Sequence, residues 1–168
     1  VSAAIGLAGG ITAFKNVTVN TKVSVAEEAV AQKLHVWQAG FLGRCEGKEL
    51  TFQNCTWGSD STLTDKRTTE NQRIGGLAAE VMGGCVVSVD ACTLSGSIIS
   101  KSASNAKVGG LIAVSRGETQ NGTTSADTTI KISNLQVNEE KINTNGANKT
   151  SGGLLGYQWK NTNVVFAA

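Results

Sequence analysis

The sequence predicts an all-β protein, a three-sided parallel β-helix (solenoid) of about four coils with loop inserts. Three observations predict it. A pair of short phrases recurs along the chain at the period of a solenoid coil. Within each copy apolar residues alternate with polar ones, the pattern of a strand with one buried face. The 168 residues include 20 glycines and no proline, which suits tight corners joined to strands that hydrogen-bond on both sides.

The first phrase pairs glycine with leucine or phenylalanine. It reads Ile5-Gly6-Leu7, Ala39-Gly40-Phe41-Leu42, Gly75-Gly76-Leu77, Gly109-Gly110-Leu111 and Gly152-Gly153-Leu154. It predicts the first strand of each coil. The second phrase follows the first four copies and is centred on a column formed by Asn16, Asn54, Ala91 and Asn134, at steps of 38, 37 and 43 residues. Two positions before that column stand Phe14, Phe52, Val89 and Ile132, and directly after it Val17, Cys55, Cys92 and Leu135. Two further on come Val19, Trp57, Leu94 and Val137. The apolar alternation slips by one residue at the Asn column. Such a slip reverses the buried face unless the chain turns there. Two short strands joined by a tight corner are therefore expected, with Asn at the corner. The opening of the phrase recurs at Val164-Val165-Phe166.

One repeat cannot bury its own apolar face, whereas repeats stacked at the ~4.8 Å strand spacing can. Stacking places Asn16, Asn54 and Asn134 above one another, and an internal ladder of their amides is expected. The spacers supply the inserts. Ala26 to Leu34 has good helix formers and reads as one or two helical turns. Thr64 to Arg73, Lys101 to Lys107, Arg116 to Asp127 and Asn143 to Ser151 are polar and read as loops. Residues 1–168 read as one β-helix segment, a fragment of a longer repeat protein. The chain does not start with Met, and both of its ends lie inside repeat phrases. Further coils of the same polypeptide, or another copy, are the partners expected at those ends.

Composition excludes several functions. Fifteen Lys+Arg against thirteen Asp+Glu give a net +2 with the charges interspersed, so no nucleic-acid footprint is expected. No apolar run approaches the ~18 residues of a bilayer span, so no membrane insertion is expected. The glycine pairs lack the P-loop form. The one histidine, His35, has no nucleophile context and reads as a surface or interfacial residue. A glycosidase needs two carboxylates roughly 5–9 Å apart. Glu46/Glu49, Asp60/Asp65 and Glu139/Glu140 are the available pairs, and none repeats across coils. Asp90 is an outward strand acid beside Gln53 and Ser133, a thin basis for a calcium site. The outward column Thr18, Thr56 and Thr93 has the form of an ice-binding ladder, but Gln136 breaks it. No catalytic residue, metal or cofactor is expected.

Cys45 and Cys55 fall in one repeat and Cys85 and Cys92 in the next. Their spacing is not that of a zinc site. Three disulfide connectivities are open. The local pairs Cys45–Cys55 and Cys85–Cys92 are expected, because each repeat holding a cysteine holds two. The competing layout stacks Cys55 and Cys92 as free thiols in an inward column. N-x-Thr sequons stand at Asn16, Asn54, Asn121 and Asn148. Glycans are expected at Asn121 and Asn148, which lie in loop inserts, before the corner residues.

The phrases Val108-Gly109-Gly110-Leu111-Ile112-Ala113 and Ser151-Gly152-Gly153-Leu154-Leu155-Gly156 resemble the GLUG repeats of large extracellular surface proteins. Asn54-Cys55-Thr56 and the stretch from Asp90 to Gly96 are similar to the strand that follows in such repeats. The resemblance covers most of the chain in broken form. It implies an extracellular or cell-surface region of an adhesin-like protein, without catalytic residues. The reading is a structural or adhesive module with a possible protein or glycan ligand. A self-associating filament subunit and a carbohydrate-binding or carbohydrate-cleaving β-helix are the alternatives.

Overall fold

The computed structural model describes residues 2, 4–26, 36–47, 49–67, 72–101, 106–119, 121, 126–138, 141–144 and 150–167. These residues form 22 strands and no helix. The first coil holds β1 (Ile5–Ala8), β2 (Ile11–Lys15), β3 (Thr18–Val19) and β4 (Lys22–Val25). The second holds β5 (Val36–Ala39), β6 (Leu42–Glu46), β7 (Glu49–Gln53), β8 (Thr56–Trp57) and β9 (Thr62–Asp65). The third holds β10 (Gln72–Gly75), β11 (Ala78–Met82), β12 (Val86–Asp90), β13 (Thr93–Leu94) and β14 (Ser97–Ser100). The fourth holds β15 (Lys107–Gly109), β16 (Ile112–Ser115), β17 (Thr128–Ser133), β18 (Gln136–Val137) and β19 (Lys141–Thr144). A partial fifth adds β20 (Thr150–Gly152), β21 (Leu155–Gln158) and β22 (Thr162–Phe166).

Every strand pairs in parallel with its equivalent one coil away, which makes the chain a β-solenoid of about four turns. The sheet orders are β1-β6-β11-β16-β21, β2-β7-β12-β17-β22, β3-β8-β13-β18, β4-β9-β14-β19 and β5-β10-β15-β20. Each full coil thus contributes five strands, where the phrases pointed to three. The other two are the β9-type and β10-type strands, which reach into the spacers read as loops. The Gly-Gly-Leu phrase is itself a corner rather than a strand, since Gly76 and Leu77 bend between β10 and β11. Of the segment expected to be helical, residues 27–34 lie outside the described residues, as does His35.

In-register stacking builds the core. Phe14, Phe52, Val89, Ile132 and Phe166 form one continuous row. Val19, Trp57, Leu94 and Val137 form a second. Phe14 and Phe52 stack with ring centroids 5.3 Å apart, and Phe41 meets both rings edge-on at 5.6 and 5.8 Å. Glycine is required where coil and ring crowd together. A Cβ on Gly76 would lie 2.1 Å from the Gly110 carbonyl oxygen and 2.6 Å from the Trp57 ring.

The Asn column is a left-handed corner, with φ of 57° at Asn16, 51° at Asn54, 51° at Ala91 and 49° at Asn134. Asn tolerates this conformation far better than Ala does. The expected ladder exists in part, because Asn54 Nδ2 donates to Asn16 Oδ1 at 2.8 Å. It runs along the outside, however, and all three Asn are exposed. This corrects the internal placement. Gln53 and Asn54 are both exposed between buried Phe52 and Cys55, so the left-handed residue adds a second outward position at the corner. Ala91 interrupts the column, and Asn134 Nδ2 donates instead to Asp90 Oδ1 at 3.0 Å. Ala91→Asn is therefore expected to stabilise the fold by about 1 kcal/mol by relieving left-handed strain. The check is a higher urea midpoint at unchanged m-value; a lower midpoint contradicts the assignment.

Candidate functional site

The largest buried polar cluster of the described residues lies on the outer face of the sheet containing β11. Stacking aligns Glu80 of β11 with Arg44 of β6 and Val114 of β16. Arg73 of β10 aligns with Trp37 of β5 and Lys107 of β15. The fully buried Glu80 carboxylate collects donors from three coils. Trp37 Nε1 donates to Glu80 Oε2 at 2.5 Å, and Arg73 Nη1 pairs with the same oxygen. Arg44 Nε lies 3.9 Å from Oε2. Arg116 Nε lies 3.0 Å from Oε1 as an ion pair, off the line of a hydrogen bond. The guanidinium carbons of Arg44 and Arg73 stand 5.5 and 5.6 Å from the centre of the Trp37 ring. Arg44 also reaches Glu46 Oε2 at 2.6 Å and the Met82 sulfur at 3.1 Å. Burial pulls the Arg73 pKa down, against the opposing pull of Glu80.

Chemically this cluster is a clamp. A general acid or base must reach the proton it transfers, and Glu80 is buried with its oxygens facing protein cations. The cluster ties the second, third and fourth coils together. Sequence reading missed it, because polar letters in a strand read as solvent-facing, whereas β6 and β11 are buried on both faces. A signal was present. Arg44 and Glu80 each stand three residues after Phe41 and Leu77 of the recurring phrase.

The described members of the sequence-derived acid pairs have separate surroundings. Glu46 pairs with Arg44, while Glu49 is exposed at the start of β7. Asp60 sits in an exposed turn, whereas Asp65 is buried and grips Arg67 through Nε at 2.9 Å and Nη2 at 2.5 Å. Glu139 and Glu140 lie outside the described residues. Asp90 does neighbour Gln53 and Ser133 in register. Its carboxylate accepts from Ser133 Oγ at 2.7 Å and from Asn134, and these bonds hold its pKa below the usual carboxylate range. No cluster of three or more His, Cys, Asp or Glu suited to a metal ion occurs among the described residues. A shallow groove of about 240 Å³ is lined by Ser59, Ser95, Ser97, Asn138 and Lys141. The Thr row aligns as expected, Thr18 with Thr56 and Thr93, ending at Gln136.

The cysteines correct the sequence expectation. All four are free and buried. Cys45 and Cys55 are separated by the whole of β7, and Cys85 and Cys92 by the whole of β12. A five-residue strand spans about 16 Å at ~3.3 Å per residue, far beyond the ~4.4–6.8 Å Cα separation that a disulfide bridges. The local pairs are therefore ruled out by the solenoid. Cys55 and Cys92 do share the inward position after the corner. Cys55 Sγ donates to the Phe14 carbonyl at 3.3 Å and Cys92 Sγ to the Phe52 carbonyl at 3.5 Å. Burial raises the Cys92 pKa. Asn121 sits in an exposed turn, and Asn148 lies outside the described residues.

No protein-family model, curated protein or solved structure matches this chain.

Proposed function

We propose that the chain is a non-catalytic, extracellular structural or adhesive β-solenoid module of a surface protein, continued at its ends by further coils. The observation that carries this reading is the pair of open ends. Among the described residues, β1 to β5 pair with another strand on one side only, and so do β18 to β22. Apolar side chains stand exposed along these edges, with Leu7 65% and Ile11 74% exposed at one end and Phe166 66% at the other. Unpaired strand edges carrying apolar side chains template another strand. A further coil would satisfy the backbone groups and bury those side chains together. The GLUG-like phrases and the exposed sequon at Asn121 support the extracellular placement.

A second reading, a self-associating filament subunit, is favoured by one observation. Phe166 continues the row of Phe14, Phe52, Val89 and Ile132. It could stack on Phe14 of another copy as the next coil does. That contact is head-to-tail and does not close on itself, so it would build a fibre.

Sedimentation velocity over a range of concentrations, with turnover assays on a polysaccharide panel, tests both readings. The expected result is no turnover, together with concentration-dependent association that Phe166→Glu or Ile11→Lys weakens. A chain that stays monomeric at all concentrations would be better read as a self-contained binding domain. Polysaccharide turnover would replace the structural reading with an enzymatic one.

A further inference from the structure

We propose that Cys45 and Cys85 are an oxidation site, which closes into a disulfide joining the second coil to the third while Cys55 and Cys92 remain thiols. Cys45 lies in β6 on the row of Ala8 and Val81. Cys85 opens the next face of the third coil. It follows Gly83 and Gly84, whose φ values of 70° and 74° turn the chain sharply between β11 and β12. This corner brings the two sulfurs to 3.6 Å although they stand 40 residues apart. Closure to the ~2.05 Å of a disulfide needs roughly 1.5 Å of sulfur travel. Cys55 and Cys92 are placed differently, each donating to a carbonyl of the coil before it.

In the folded chain the thiol–thiol contact pulls the Cys45 pKa down against the effect of burial, while the same contact and burial push Cys85 up. Oxidation proceeds by exchange before that contact has closed, so either sulfur can react first. One thiolate attacks one sulfur of a low-molecular-weight disulfide, forming a mixed disulfide and expelling one small thiolate. The other cysteine then loses its proton and attacks the protein sulfur of the mixed disulfide, expelling the second small thiol. Two electrons and two protons pass from the protein to the oxidant, which leaves as two thiols. Both cysteines are fully buried in the folded chain. The oxidant meets them while the third coil is docking on the second. This inference rests on the sulfur geometry and stands apart from the extracellular reading.

The test is refolding of the full chain in a mixture of oxidised and reduced glutathione. The product is denatured without reductant, alkylated and mapped as peptides. The expected map shows one cross-linked pair, Cys45 with Cys85, and alkylated Cys55 and Cys92. The oxidised chain should also unfold at a higher urea concentration than the reduced chain. Cys45→Ser and Cys85→Ser should each abolish that difference, and Cys55→Ser should leave it intact. Four alkylated thiols after oxidative refolding, or a cross-link through Cys55 or Cys92, overturns the proposal.

Discussion

Trp57→Ala is expected to lower the unfolding free energy by about 3–5 kcal/mol, the range for truncating a large buried aromatic. Trp57 is fully buried in the row of Val19, Leu94 and Val137. Its surroundings make the upper part of that range the expected one. A Cβ would fall 3.0 Å from the ring at Gly40, 2.6 Å at Gly76 and 2.4 Å at Gly96. The ring thus fills space that three glycines leave open. Those glycines have no side chains to move into the cavity, and their backbones are held in place by the coils on either side. The indole N–H has no hydrogen-bond partner among the described residues, so the truncation loses packing alone. Trp57→Phe should consequently be much milder, since it keeps most of the ring and removes a buried orphan donor. Urea unfolding of the three proteins measures this. A loss below about 1 kcal/mol for the Ala variant would mean that the cavity collapses, against the rigidity argued for the glycine corners.

The rows of Phe14 and Trp57 were legible in the sequence because the fold is in register. In a parallel stack the same position of each copy meets itself, so a recurrence of residue type is a recurrence in space. The corner at Asn16, Asn54 and Asn134 was legible for a related reason, since the one-residue slip in alternation requires a turn. The direction of the corner side chain was not. Period two assigns alternate residues to opposite faces, and the left-handed corner breaks that rule by placing two consecutive outward residues, such as Gln53 and Asn54, between inward Phe52 and Cys55. The β9-type and β10-type strands were hidden by spacers of unequal length, which spoil column alignment. Cys85 was mispaired because its place depends on the two left-handed glycines before it. Sequence spacing favours near neighbours in the chain, whereas the solenoid favours near neighbours along its axis.

Glu80→Ala should be the most damaging single change on the outer face, at about 3–5 kcal/mol, the cost of removing one partner from a buried ion cluster. Arg44, Arg73 and Arg116 would be left facing one another around an empty position, and the Trp37 N–H would lose its acceptor. Glu80→Gln keeps the shape and an acceptor for Trp37 but removes the charge, so its loss should fall between those of the wild type and Glu80→Ala. Because the carboxylate is fully buried, added salt should change these differences little. The attraction within such a cluster is set against the desolvation of its members, so its presence is not by itself proof of stabilisation. A double-mutant cycle separates the two effects. If the arginines are held chiefly to neutralise Glu80, then Glu80→Leu with Arg73→Leu should unfold at higher urea than Glu80→Leu alone, with coupling on the order of 1–3 kcal/mol. Additive losses would mean that Arg73 is held by the Trp37 ring and the strand ladder rather than by the carboxylate. The cluster would then be a consequence of the coil stacking and not one of its causes.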